Sequence, residues 1–260
     1  MILWCDGAHA PAENMRRDAA LLARAVTAPP GEPAVLRVFR FSPAGITLGA
    51  NQRPDRELDL DRLAAAGVPW VVRPTGGRAI WHDEEWTFSL SARLGRGAWA
   101  ADAAAAYART ATLLAAAFRS LGVPAECSPG SPRGAGPPRA PGGPAAPCFA
   151  SAARHELTIS GRKFGGIAQR FQGDALLQQG SLLLGPSHLR IADCLRLAEA
   201  DRARVRTALA ASTAHAGAWL AADTPLQRLA DALGALIPGA AHVRGAEGLA
   251  LPGPEAPAAP

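Results

Sequence analysis

The chain has 260 residues, enough for one sizeable core, and although Ala, Gly and Pro (60, 27 and 23) fill 110 positions, Leu, Val, Ile and Phe recur in periodic runs that call for a folded protein. A net charge of +5 favours acidic partners, but the basic residues are dispersed along the chain rather than clustered, which argues against nucleic acid. No stretch approaches the roughly 20 apolar residues of a membrane span, Met1 to Gly7 lacks the basic and apolar regions of a signal peptide, and Cys5, Cys127, Cys148 and Cys194 are too scattered for a metal site and too few for a disulfide scaffold, so a reduced, cytoplasmic setting is expected.

Asn14 is expected to cap a helix whose apolar positions Met15, Ala19, Leu22, Ala23 and Val26 share one face, ending before the Pro pair at 29–30. Val35 to Phe41 alternates as a strand, and Arg56 to Ala66 reads as a short helix closed by Gly67. Pro69 to Arg73 reads as a strand running into the loop Pro74-Thr75-Gly76-Gly77-Arg78. Glu85 to Ala92 sets Trp86, Phe88 and Leu90 against Thr87, Ser89 and Ser91, which predicts a half-buried strand. A long helix is expected over Ala100 to Leu121. Residues 128–147 hold seven Pro, five Gly and no large apolar side chain, which predicts a mobile loop. Strands follow at His155 to Ile159 and Lys163 to Arg170 around a tight Ser160-Gly161 turn, and at Ala175 to Leu184. Residues 187–238 read as mostly helical and 251–260 as a disordered tail, leaving 1–250 as a single domain. The irregular alternation of helices and strands, hairpins included, predicts an α+β fold with a mixed, largely antiparallel sheet and flanking helices.

Two stretches carry candidate chemistry. Arg73 to Asp83 places the Gly76-Gly77 pair after a strand, between Arg73 and Arg78 and ahead of His82. Paired glycines let backbone N–H groups approach an anion or a carbonyl; the other reading is a hairpin turn with surface arginines. The second stretch holds Lys163, the one Lys beside 26 Arg, followed at once by Gly165-Gly166. In a composition that favours Arg wherever charge alone matters, the remaining amine is either a chance survivor or a position needing a group that can release its proton, which a guanidinium does not. Simple alternation puts Lys163, Gly165, Ile167 and Gln169 on one face, opposite Phe164, Gly166 and Ala168.

With these stretches the chain resembles the lipoate–protein ligase and octanoyltransferase superfamily, whose catalytic domain is related to that of biotin–protein ligases. The matching segments are Gly7 with Asn14-Met15 and Asp18 to Leu22, Leu48 to Gln52, Arg73 to Asp83, Glu85 to Ser89, Gly161 to Gln169, and Gln178 to Leu182, in order over roughly residues 5–185. The resemblance implies the same mixed sheet and a lysine at position 163 lining an acyl site, with Arg73, Thr75, Gly76, Gly77, Arg78, His82, Gly165, Gly166 and Gln169 around the substrate. One octanoyltransferase branch carries a nucleophilic cysteine in a Pro-Cys-Phe context shortly before that lysine. Pro147-Cys148-Phe149 stands in that place here. A free Cys is otherwise most often a small buried hydrophobe, the reading kept for Cys5, Cys127 and Cys194. The family's second Arg is replaced by Pro74, and its His near position 179 is absent.

The implied activity is transfer of an octanoyl, or lipoyl, group from the thioester of an acidic acyl-carrier protein to the target lysine of a lipoyl-domain or glycine-cleavage-type protein, through acyl-Cys148. Lys163 would serve there as base, hydrogen-bond donor or fixed charge, and the Gly76-Gly77 and Gly165-Gly166 amides as oxyanion donors. No cofactor, metal, nucleic acid or membrane is implied, and a monomer is. Two alternatives stand beside it: an ATP- and Mg-dependent lipoate ligase working through an acyl-adenylate, and a non-catalytic acyl- or carrier-binding protein of the same fold.

Overall fold

The computed structural model describes residues 1–29, 31–95, 99–128, 156–245 and 249. Beyond Ser128, the expected loop at 128–147 lies outside the described residues, as do Cys148, His155 and the tail at 251–260.

The chain opens with a strand that periodicity did not reveal, β1 (Ile2–His9), and turns at Pro11 into α1 (Pro11–Thr27). The helix therefore starts three residues before the expected cap. Asn14 is buried inside it, donating to the carbonyls of His9 and Arg40 rather than to the helix end. Strand β2 (Val35–Phe41) is as expected, and β3 (Gly45–Leu48) follows unannounced. The helix expected at 56–66 is two pieces, α2 (Pro54–Glu57) and α3 (Leu60–Ala65), because Asp59 caps the second by accepting from the Arg62 amide. Next come β4 (Trp70–Val72), β5 (Ile80–His82), β6 (Glu85–Arg93), α4 (Ala103–Ser120) and β7 (Ala125–Cys127). The hairpin β8 (Leu157–Ile159) and β9 (Arg162–Gln172) leads to β10 (Ala175–Leu183). The C-terminal part holds a 3₁₀ turn (Pro186–Arg190), α5 (Ile191–Cys194), α6 (Glu199–Ser212), α7 (Leu226–Leu236) and a last strand, β11 (Ala241–Arg244).

Eight strands form one sheet in the order β11-β1-β2-β6-β10-β9-β8-β7, parallel where β1 meets β11 and β2 and antiparallel elsewhere. A second sheet, β4-β3-β5, has three strands. One face of the large sheet (Leu36, Val38, Phe88, Leu90, Leu176, Leu182) packs on Leu114 and Phe118 of α4 and Leu229 and Leu233 of α7 in a continuous apolar core. The other face lies under α1. Strand β6, predicted half-buried, is consequently buried on both sides. Its polar row does not reach water: Ser89 donates to Asp18 (2.6 Å) and Ser91 to the Leu21 carbonyl (2.7 Å), both on α1.

Candidate active site

The β8–β9 hairpin turns at Ser160 and Gly161, both with positive φ (49° and 73°), the geometry of the tight turns that match strand twist. This register sets Thr158 opposite Lys163. Glu156, two residues before Thr158, is then the diagonal neighbour of Lys163, within reach of a long side chain. The Lys163 ammonium forms an ion pair with Glu156, both side chains are less than a tenth exposed, and both line one cavity. Glu156 was missed in the sequence, although the hairpin turn held the signal.

Leu157 pairs with Gly165 while Thr158 pairs with Lys163, so three residues of β9 face two of β8. The extra residue is a bulge, and it reverses the alternation beyond it. Phe164 enters the apolar core beside α4, and Gly165 faces the same way, where a Cβ would lie 2.9 Å from Leu182. Gly166 and Ala168 join Lys163 at the cavity instead of opposing it. Gln169, grouped with Lys163 by simple alternation, is on the far face: it pairs with Gln178 and accepts from its amide at 2.8 Å.

The loop after β4 is organised from within by Arg73. Its guanidinium donates to the carbonyls of Gly76 (2.7 Å), Arg78 (2.9 Å) and Thr47 (3.2 Å), so much of its donor fork is spent on the loop. Gly77 has φ +97°, and a Cβ on Gly49 would lie 2.1 Å from the Gly77 carbonyl oxygen, so only glycines bring the loop this close to the end of β3. Arg170 fastens β9 to the loop by donating to the Pro74 carbonyl (3.1 Å). Buried Thr75 donates to Gln179 (2.7 Å), whose amide donates to Asp18 (2.6 Å). Asp18 and Asp6 in turn hold Arg37, and all three side chains are inaccessible to solvent. The loop is thus tied through Gln179 to a buried ion cluster beneath α1.

His82 is held at both ring nitrogens, to Thr47 Oγ1 by Nε2 (2.7 Å) and to Glu85 Oε1 by Nδ1 (2.6 Å). Arg73 also donates to Thr47 Oγ1 (3.1 Å), so the polarity that satisfies a singly protonated ring runs from Arg73 through Thr47 and His82 to Glu85. Thr87 and Ser181 donate to the same Glu85 oxygen (2.7 and 3.1 Å). With its nitrogens engaged, His82 contributes a flat wall, stacked on Phe41 at 3.9 Å between centroids and 17° between planes.

These elements enclose a cavity of about 120 Å³ across the α1 face of the large sheet. Lys163, Gly166, Ala168 and Gly77 line one end; Met15, Phe41, His82 and Thr87 line the other. Gly77 is exposed and Gly166 and Ala168 are half-buried, whereas Lys163, Met15, Phe41, His82 and Thr87 are buried. The opening is therefore between β9 and the glycine loop, and the blind end lies toward β2. The Arg78 backbone carbonyl faces inward and accepts from Arg73.

The three described cysteines are remote from this chemistry. Burial pushes the Cys194 thiol up to about 11 and raises those of Cys5 and Cys127, which suppresses their thiolates. Cys148 lies outside the described residues. No helix among the described residues is long and apolar enough to cross a membrane.

Residues 10–234 match the lipoyl protein ligase A/B catalytic domain. An octanoyltransferase LipM of Moorella thermoacetica is 37% identical over 180 residues, 68% of this chain and 63% of that protein, so the match spans just under two thirds of the relative's length. The LipM octanoyltransferase of an Exiguobacterium species is 36% identical over 201 residues, 76% of this chain and 70% of that protein. Among solved structures, lipoate-protein ligase A bound with ATP superposes with a TM-score of 0.64 at 18% identity, over 89% of this chain and 81% of that one. The bi-partite lipoate protein ligase of Thermoplasma acidophilum gives 0.67 at 19%, over 89% and 80%. At such identities these two likenesses speak for the fold, the mixed α+β arrangement described above.

Proposed function

The chain belongs to the lipoyl protein ligase A/B catalytic domain family, and from that membership we propose that it is an octanoyltransferase that moves the acyl group from an acyl-carrier-protein thioester to the target lysine of a lipoyl-domain protein. The observation that carries the reading is Lys163: the chain's one lysine, buried at the open end of an apolar-walled cavity and paired with Glu156. Resemblance to named octanoyltransferases at 36–37% identity supports the acyl group chosen.

In the proposed reaction the Cys148 thiolate adds to the thioester carbonyl and the carrier's thiol leaves with a proton, giving an acyl-enzyme. The acceptor's lysine amine then adds to that thioester; an amide forms, the Cys148 thiolate departs, and one proton is released. A free thiol near pKa 8.5 is only about 3% ionised at neutral pH, so a neighbouring cation raises the reactive fraction. Lys163 supplies that cation and Glu156 orients it. The glycine-loop amides, held by Arg73 and Thr75, are the proposed donors to the tetrahedral oxyanion, with Gly166 facing the same space. A free-thiol nucleophile suits a reducing cytoplasm. The net charge of +5 suits an acidic carrier. No ATP, Mg or other cofactor enters the scheme.

Incubation with octanoyl-carrier protein in the absence of ATP, followed by intact-mass spectrometry, tests this. One added octanoyl group is expected, absent in Cys148→Ala, and it should pass to an added lipoyl domain. Transfer that needs ATP and free acid, with Cys148→Ala still active, would establish the ligase chemistry instead. Carrier binding without transfer under either condition would make the chain a binding protein.

A further inference from the structure

The cavity's two ends sit on strands far apart in sheet order. Lys163 is on β9 and Phe41 on β2, with β10 and β6 between them. Three inter-strand spacings of about 4.8 Å make roughly 14 Å. Bonds of about 1.5 Å give an extended eight-carbon acyl group a length on the order of 10 Å, and the side chains at the two ends fill the remainder. A chain whose carbonyl is at Lys163 therefore runs across the strands and ends against Phe41.

That end is rigid. The Phe41 ring is stacked on His82, and His82 cannot rotate away without breaking bonds at both nitrogens. Met15 of α1 closes the side, packed with Phe39 and Phe41. Its sulfur accepts from the Gln179 amide at 3.3 Å, in the chain of bonds that leads to buried Asp18.

Resting on the acyl-transfer reading above, we infer that Phe41 and Met15 form a length gauge that restricts the cavity to straight chains of about eight carbons. Longer chains meet the Phe41–His82 stack, and shorter chains leave apolar wall uncovered.

Titration calorimetry with free hexanoate, octanoate, decanoate and dodecanoate reads the gauge without requiring turnover. The intact protein should bind octanoate at least tenfold tighter than dodecanoate. Phe41→Leu and Met15→Ala should each shift the decanoate-to-octanoate preference on the order of tenfold toward the longer acid, as two methylenes in an apolar pocket dictate. Met15→Phe, which fills space, should move the preference toward hexanoate and keeps the test decisive if the opened variants do not fold. Absence of length preference in the intact protein, or an unchanged preference in the folded variants, overturns the gauge. Failure to transfer octanoyl from a thioester while the binding preference holds would overturn the transferase reading and leave the gauge standing.

Discussion

The two faces of the large sheet solve opposite problems with the same strands. Toward α4 and α7, every second residue of β2, β6 and β10 is apolar or small, apart from Arg40 and Gln178, and most of that row packs into one core with Leu114, Phe118, Leu229 and Leu233. Toward α1 and the small sheet the alternate residues include Arg37, Thr87, Ser89, Gln179 and Ser181, equally buried. The first face gains stability from area removed from water. The second buries charges and hydroxyls whose desolvation must be offset by pairing, and in return holds side chains in fixed directions around a cavity. Glu85 shows the cost of that arrangement: one carboxylate oxygen takes donors from His82, Thr87 and Ser181, while the other has no hydrogen-bond partner among the described residues.

Substitutions on the two faces should therefore fail differently. The largest effect is expected from Lys163→Arg, which keeps the charge and removes the compact amine. Octanoyl transfer should fall by about 10²–10⁴-fold with the urea unfolding midpoint unchanged, and near-normal turnover would take Lys163 out of the mechanism. Next, Asp18→Ala and Phe118→Ala should each cost about 3–5 kcal/mol in urea denaturation, the former by removing one of the two carboxylates that pair with buried Arg37 together with the acceptor of Ser89 and Gln179, and the latter by opening a cavity. Activity per folded molecule separates them: it should drop in Asp18→Ala, where Gln179 loses its acceptor, and stay within about twofold in Phe118→Ala. Equal catalytic damage in both would erase the distinction between the faces. Thr75→Val leaves Gln179 Oε1 without its donor, for about 1–3 kcal/mol; KM for the acyl donor should rise while kcat changes little.

The smallest effect is in pH dependence. His188 is buried and bonded to Thr213 (2.9 Å), which bridges to the start of β9 beside Lys163. Burial lowers its pKa below the ordinary 6.5. The unfolded chain then binds a proton that the folded one resists, so stability from this group is complete above about pH 6.5 and declines as the pH falls below it. Urea midpoints at pH 7.5 and 5.5 should differ in that sense, and His188→Gln should flatten the difference.

Local pattern accounts for much of this molecule. The main helices and the central strands β2, β6, β9 and β10 follow from periodicity, and the hairpin from a two-residue turn that accepts positive φ. What pattern missed were β1, which lies inside the large sheet between β11 and β2, and β3, β5, β7 and β11, segments of three or four residues whose strand character comes from their neighbours' hydrogen bonds. Asn14 was placed at a cap because its residue type favours caps; the structure uses its side chain between His9 and Arg40, a pairing invisible without the fold. Arg73, Gly77 and His82 of one quoted segment and Lys163, Gly166 and Ala168 of the other line one cavity, but the face that each residue presents was not legible in the sequence.

The sequence by itself determined the mixed α+β class, the family, and the singularity of Lys163, because composition, periodicity and motif order are properties of the chain. Only the tertiary structure decided that the polar row of β6 faces α1 rather than water, that Glu156 meets Lys163, and that Gln169 turns away. The reason is register. Strand side chains alternate with a period of two, so one inserted residue between Lys163 and Gly165 exchanges the two faces of everything after it, and that exchange depends on the partner strand.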